Sequence, residues 1–224
     1  MSTQSLLKSQ GFNMDEFTAC PIDYIDPIIR VDNEGYYVAY AVYDDDPEEP
    51  SHYGIFVDRR HTHPDKVTAE LEGVPDHFRV ALDVYAHSGE WWSLHGEGTQ
   101  CRWDTSRQAV IWYAPKARQQ DMIAAVKKNH LTANDTDEEG NVIMFDEDNI
   151  TDELYALSVK YCRQDLEVHN AYNGGDVYGI IIDHFDKDRN FIDQADACYG
   201  YIGTRNTLIA MQNELTLGVV YEVD

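Results

Sequence analysis

Two histidines and an aspartate, His61, His63 and Asp65, are the residues of this sequence best spaced for metal chemistry. Imidazole nitrogens and carboxylate oxygens are common zinc ligands, and a bound zinc ion can activate water for hydrolysis. The residue after Asp65 is Lys66, which supplies no further ligand. A polar turn at the end of a strand is the competing interpretation of the same residues. A metal-dependent hydrolase is therefore a secondary hypothesis, and the favoured interpretation has no metal.

A second segment rich in oxygen ligands lies between Asp135 and Asp146. Its acids at the first, third, fifth and twelfth positions, with glycine at the sixth, follow the outline of a calcium-binding loop. Two positions depart from that outline, because Glu139 stands at the fifth and the short Asp146 at the twelfth. A hairpin turn through Gly140 explains the same residues. Calcium binding stays an alternative interpretation of this segment.

No other motif names a reaction. The four cysteines, Cys20, Cys101, Cys162 and Cys198, lie far apart and form no CxxC pair, which favours free thiols. The sequence contains no nucleophile elbow, phosphate-binding glycine loop or dinucleotide fingerprint. We therefore predict a protein that is not an enzyme and needs no cofactor.

The elements that must position any site are mostly strands. Short β-branched and aromatic runs between turn residues predict strands at 36–43, 52–58, 78–85, 109–113, 141–145, 176–185, 191–202 and 219–223. Helical spacing predicts helices at 65–72, 117–130, 151–170 and 204–215. Strands and helices do not alternate regularly. The predicted fold class is therefore α+β with mainly antiparallel sheet and a few helices.

The domain organisation is predicted to be simple. A length of 224 residues with 43% hydrophobic composition suits one compact acidic domain over 1–224, with a weak possible boundary near 133–150. The first ten residues contain no apolar run, so we expect no secretory signal. No stretch approaches the roughly 20 apolar residues that span a bilayer. A cytoplasmic location is the expectation.

The charge of the chain is its most unusual property. It carries 41 acids against 17 Lys and Arg, a formal net charge of −24. Residues 1–112 and 113–224 each have a net charge of −12, so the acidity is not confined to one tail. DNA affinity depends mainly on cations that neutralise phosphates, so this charge excludes a nucleic-acid binder of the usual basic kind. It favours a basic protein partner instead.

Two runs of acids are dense enough to form a binding surface, and such carboxylates can imitate the phosphate rows of DNA. We predict that they make the partner contact. The predicted contact residues are Asp44, Asp45, Asp46, Glu48 and Glu49 in the first run, and Asp135, Asp137, Glu138, Glu139, Asp146, Glu147 and Asp148 in the second. The alternative is a solvated face that only keeps the protein soluble.

Four short segments, each present once, follow one another in a recognisable order. They are His87-Ser88-Gly89, then Cys101-Arg102-Trp103-Asp104-Thr105, then Gly175–Gly179 (GDVYG), then Cys198–Gly203 (CYGYIG). This order resembles a family of uncharacterised proteins encoded by bacteriophages and plasmids. Thr105 stands where that family usually has serine, and Tyr199 where it usually has tryptophan. The resemblance implies a phage or plasmid setting and a host-cytoplasmic protein, but no catalytic residues.

Together these features predict an anti-defence protein, such as an anti-CRISPR or anti-restriction factor. It would inhibit a basic nucleic-acid-binding host protein or complex by mimicking DNA, without contacting nucleic acid or membrane itself. The alternatives are the hydrolase built on His61, His63 and Asp65, and a phage interaction protein whose charge is only solubilising. A homodimer formed through the aromatic-rich strands is a further possibility.

Overall fold

The computed structural model describes residues 2–50, 54–132 and 150–217. Within these residues the chain forms five helices and eight strands. The helices are α1 (Thr3–Ser9), α2 (Pro64–Leu71), α3 (Lys116–Thr132), α4 (Thr151–Asn173) and α5 (Thr204–Leu217). The strands are β1 (Ile28–Val31), β2 (Gly35–Tyr43), β3 (Ile55–Asp58), β4 (Arg79–Ala86), β5 (Glu90–Leu94), β6 (Thr105–Tyr113), β7 (Val177–Asp186) and β8 (Phe191–Ile202).

The predicted fold class is confirmed. The strands form two four-stranded sheets, in the orders β1-β2-β7-β8 and β3-β6-β4-β5, and every pairing is antiparallel. Along the chain, helices and strands do not alternate one by one: consecutive strands form β1-β2-β3, β4-β5-β6 and β7-β8, with helices before, between and after these groups. The chain is therefore α+β, as the irregular order of elements predicts.

The chain divides into two compact units, whereas the sequence analysis expected one. Residues 1–49 and 171–224 form one unit, called the split unit here, and residues 50–170 form the other, called the inserted unit. Each unit has its own sheet and its own hydrophobic core. The boundaries fall after Glu49 and Asn170, while the boundary considered near 133–150 lies mostly outside the described residues.

The sheet of the split unit is buried on both faces. Along β2, Val38 and Tyr40 pack on one face with α1, whereas Ala39 and Ala41 pack on the other with α5. A strand covered on both faces reads as a continuous apolar run, which accounts for the sequence YYVAYAVY. Strand β8, by contrast, is an edge strand and is exposed along most of its length.

The sheet of the inserted unit buries one face against two helices. Val80, Leu82 and Val84 alternate along β4 and pack in one core with residues of α3 and α4. Helix α4 begins with two acids in its first turn, Asp152 and Glu153, which favour a helix N-terminus. It ends before Gly175, whose φ of 79° is easily adopted by glycine after a helix.

Membrane-spanning character can be judged for the helices of the described residues. None of them combines the length and the apolar character that crossing a bilayer requires.

Candidate functional site: an anchored acidic turn

The first predicted acidic run lies directly after β2, in the split unit, and we call Asp44–Glu49 the acidic turn. Its first residue holds it in place. The Asp44 amide donates to the Val177 carbonyl at 3.0 Å. The Asp44 carboxylate accepts hydrogen bonds from the amides of Gly200 at 3.1 Å and Asp46 at 3.2 Å. Asp44 is thus an anchor for the turn rather than a free charge.

The other acids of the turn are available to a partner. A second anchor is the Tyr172 hydroxyl, which donates to the Pro47 carbonyl at 3.4 Å. The exposed carboxylates between and beyond these anchors are those of Asp45, Asp46, Glu48 and Glu49. The turn is tied to the split unit at Asp44 and Pro47, so the charges between these two residues are positioned before a partner binds, which lowers the entropy lost on binding.

Tyrosine hydroxyls lie beside the acidic turn. The hydroxyl oxygen of Tyr24 is 2.8 Å from that of Tyr43 and 3.0 Å from that of Tyr178. The Tyr178 hydroxyl in turn donates to the Asp176 carboxylate at 3.2 Å. Tyr24 and Tyr43 are more than half exposed. Tyrosine is enriched at protein interfaces because its ring and its hydroxyl both contribute contacts, so these two rings extend the candidate surface.

These phenols remain neutral near physiological pH. Burial and then the hydrogen bond with Tyr178 raise the pKa of Tyr24. The hydrogen bond with Tyr24 and then burial raise the pKa of Tyr43. The surface therefore combines fixed carboxylates with hydroxyl donors.

The charge is distributed unevenly between the two units, although it is even between the two halves of the sequence. The split unit carries 20 acids and 5 Lys and Arg, a net charge of −15. The inserted unit carries 21 acids and 12 Lys and Arg, a net charge of −9. Seven of its 21 acids belong to the second predicted run, Asp135–Asp148. That run, together with the candidate calcium loop, lies outside the described residues, and its role stays a prediction.

The structure does not bring His61, His63 and Asp65 together as metal ligands. All three side chains are exposed at the start of α2. His63 is the N-cap of that helix, and its Nδ1 accepts the amide hydrogen of Asp65 at 3.3 Å. Across the described ranges, no group of three or more His, Cys, Asp or Glu residues is arranged to hold a metal ion. A helix cap accounts for the spacing of His63 and Asp65, two of the three residues of the zinc hypothesis.

Two of the four segments that carry the family resemblance, HSG (87–89) and CRWDT (101–105), meet at one end of the inserted unit's sheet. The Ala86 amide donates to the Asp104 carbonyl at 2.8 Å. The Asp104 carboxylate accepts from the Cys101 thiol at 3.2 Å and lies 3.5 Å from Nδ1 of His87. The same carboxylate oxygen thus contacts both the thiol and the imidazole, and within the described residues no hydrogen bond joins Cys101 to His87. This cluster fixes a turn, and all four cysteines of the chain are free thiols.

The other two segments, GDVYG and CYGYIG, pack together on β7 and β8. A methyl group added at Gly179 would overlap the ring of Tyr199 and lie 3.1 Å from Cγ2 of Val42. The ring of Tyr199 thus occupies the space that the glycine leaves. In this structure one segment therefore provides a gap and the other fills it.

Replacing Gly179 with valine is expected to lower the stability of the split unit by about 1–3 kcal/mol, as overpacking does. Thermal unfolding followed by far-UV circular dichroism measures the loss. The second replacement Tyr199→Ala should restore part of it by removing the overlapping ring. Gly89→Ala is the control, because a methyl there meets no atom within 4 Å. A neutral Gly179→Val variant, or no rescue, would contradict this packing.

Sequence reasoning found the acidic turn but not the tyrosines beside it. Tyr43 immediately precedes Asp44, and Tyr178 belongs to the GDVYG segment, so both lie beside or within segments that the sequence analysis named. Their contact depends on the pairing of β2 with β7, where Tyr43 stands opposite Tyr178. A scan of protein-family models, a search of curated proteins and a search of solved structures each gave no match.

Proposed function

We propose that this protein binds and inhibits a basic, nucleic-acid-handling protein of a bacterial host defence system, with the acidic turn as a DNA-mimicking contact surface. The setting is the host cytoplasm, as the resemblance to phage and plasmid proteins implies. The observation that carries the proposal is the anchored row of exposed carboxylates at Asp45–Glu49, placed on a unit with a net charge of −15.

The density of these carboxylates suits a site built for DNA. Four of them, on Asp45, Asp46, Glu48 and Glu49, lie within five consecutive residues. Phosphates along one DNA strand are about 3.4 Å apart along the helix axis. A cleft lined with Lys and Arg would therefore meet a similar density of negative charge. The excess charge of the split unit would also speed association with such a cleft, and salt would weaken this effect.

The variant D45N/D46N/E48Q/E49Q tests the contact. Asp44 is left unchanged because its carboxylate anchors the turn. We expect the affinity for the partner to fall about tenfold or more, because several charge pairs are lost at once. The control is D15N/E34Q/E72Q/D188N, which removes the same number of charges from exposed positions elsewhere. If the control variant bound the partner as weakly as the test variant, the net charge of the protein alone would determine the affinity, and the acidic turn would not be the contact surface.

The partner is identified with the immobilised wild-type protein in a lysate of a defence-positive bacterium. Retained proteins are eluted with salt and identified by mass spectrometry. The proposal requires a nuclease, helicase or CRISPR subunit that elutes with salt, is displaced by duplex DNA, and is lost on the D45N/D46N/E48Q/E49Q variant. Retention of the same proteins by that variant, or the absence of any salt-sensitive partner, would overturn it.

A further inference from the structure

A group of arginines surrounds a cavity in the inserted unit, in a chain that otherwise has few cations. The cavity has a volume of about 510 Å³ and opens widely to solvent. Its lining consists of Arg59, Arg60, Ser106, Arg107, Gln108 and Ala109. Three of the chain's 17 Lys and Arg residues therefore meet at one place, and the lining formed by the described residues includes no Asp or Glu.

The three guanidinium groups differ in their pairing. Arg60 is neutralised, because its guanidinium lies 2.6 Å from the Asp58 carboxylate and 2.9 Å from the Glu90 carboxylate. Arg59 donates only weakly, to the Gln108 carbonyl at 3.4 Å. Among the described residues neither Arg59 nor Arg107 forms an ion pair. Two cations that line one cavity without a carboxylate partner repel each other, and a bound anion would offset that repulsion.

The cavity is held by a buried scaffold rather than by surface loops alone. The register of β4 with β6 shifts after Leu82, and Gln108 takes a φ of 47° at this irregularity. The Gln108 amide donates to the buried Asp83 carboxylate at 2.7 Å. A non-glycine residue at positive φ costs about 1–2 kcal/mol, and such positions are found disproportionately at functional sites. Bulges of this kind redirect side chains, here those of Arg107 and Gln108.

The other wall is fixed to the same strand. The Arg59 amide donates to the Ala109 carbonyl at 2.8 Å, at the end of β3. Behind Gln108, the Nε2 atoms of Gln108 and His95 lie 3.0 Å apart, and Nδ1 of His95 lies 2.8 Å from Asp83. The backbone that carries Arg59, Arg107 and Gln108 is thus positioned before any ligand binds.

The donors that line this cavity match the chemistry of a phosphate group. A guanidinium group can donate two parallel hydrogen bonds to phosphate oxygens, and the Ser106 hydroxyl is a further donor in the lining. We propose that the cavity binds the phosphate group of a small phosphorylated molecule through Arg59 and Arg107, with Arg60 fixed as part of the wall.

A long polyanion is the less suitable source of that phosphate. A nucleic acid gains affinity by meeting several cations in a row, and the chain's net charge of −24 opposes its approach. A single phosphate or diphosphate needs only the local cations, since charges beyond about 8–10 Å are screened at physiological salt. The site is thus separate from the acidic turn in both residues and chemistry.

Pyrophosphate is the probe that tests the site, measured by calorimetry and by the NMR signals of the arginine Nε groups. We expect wild-type protein to bind it and to shift the Arg59 and Arg107 signals. The variant R59Q/R107Q should bind at least about tenfold more weakly, as expected when charge-assisted hydrogen bonds are lost. R102Q is the matched control, because Arg102 is an exposed arginine outside the cavity that lies over the ring of Trp103.

Three results would overturn the proposal: no binding of pyrophosphate by wild-type protein, equal weakening in R102Q, or tighter binding of a single-stranded oligonucleotide. The last result would assign the site to nucleic acid instead. Circular dichroism melts check that R59Q/R107Q remains folded. The D45N/D46N/E48Q/E49Q variant should still bind pyrophosphate, so failure here is distinguishable from failure of the proposed function.

Discussion

Replacing Asp165 with alanine is expected to destabilise the inserted unit by about 3–5 kcal/mol, as loss of one partner of a buried ion pair does. The Asp165 Oδ2 atom accepts three hydrogen bonds: from the Gly54 amide at 2.6 Å, Trp112 Nε1 at 2.8 Å and the Arg118 guanidinium at 2.7 Å. The first two donors are buried, and Arg118 is mostly so. Removing the carboxylate deprives all three of an acceptor that water cannot easily replace.

Tryptophan fluorescence measures this effect selectively. All four tryptophans of the chain lie between residues 91 and 112, within the inserted unit. A urea titration followed at the tryptophan emission should show the midpoint of unfolding falling sharply for Asp165→Ala. Glu167→Gln, an exposed change on the same helix, should leave the midpoint in place. If Asp165→Ala and Glu167→Gln both had the urea midpoint of the wild type, the Asp165 carboxylate would not stabilise the core as its three hydrogen bonds indicate.

The second large effect is expected from Asp83→Asn, at about 2–4 kcal/mol near neutral pH. The Asp83 side chain is fully buried and accepts from four groups: the amides of Gly96 and Gln108, the His95 ring and the Gln100 amide side chain. An asparagine has one oxygen in place of two and adds donors where only donors already point. Urea unfolding at the tryptophan emission gives the loss.

The effect of Asp83→Asn should depend on pH. Burial alone would raise the pKa of Asp83, but the hydrogen bonds from Gly96, Gln108, His95 and Gln100 outweigh it and lower the pKa from 3.8 to about 2. A carboxyl whose pKa is lower in the folded state stabilises the fold above its unfolded pKa, and this contribution is lost as the pH falls toward the folded value. Asparagine does not titrate. The stability difference between wild type and variant should therefore shrink between about pH 5 and pH 2, and a constant difference would contradict the assignment.

Local patterns in the sequence predicted most of the elements and their limits. The run YYVAYAVY at 36–43 became β2 at Gly35–Tyr43, and the hairpin at 176–202 became β7 and β8. Helix α4 begins at Thr151 as predicted and runs three residues beyond the predicted end. Helix α1 and strands β1 and β5 were missed, since each is short and gains its order from neighbouring elements. The strands predicted at 141–145 and 219–223 lie outside the described residues.

The division into two units was not predictable from those patterns. It depends on β2 pairing with β7, so that Gly35 stands opposite Asp186, far along the chain. No linker or change in composition marks the joints at Glu49 and Asn170. The same long-range pairing creates the tyrosine contacts beside the acidic turn. The arginine cavity was also missed, because it needs the end of β3 to lie beside the irregular part of β6.

The insertion of one unit within the other has a consequence for how the chain is made. The inserted unit is a continuous stretch, 50–170, so all of its partners exist once residue 170 has left the ribosome. The sheet of the split unit needs β7 as the central partner of β2, and β7 ends only at Asp186. During synthesis β2 can pair with β1 on one edge, but its other edge has no partner until β7 is made, and more than half of the protein is translated in between. An unpaired strand edge of this kind is open to wrong pairings, and we expect the carboxylates that follow it, Asp44–Glu49, to disfavour such pairings by repulsion.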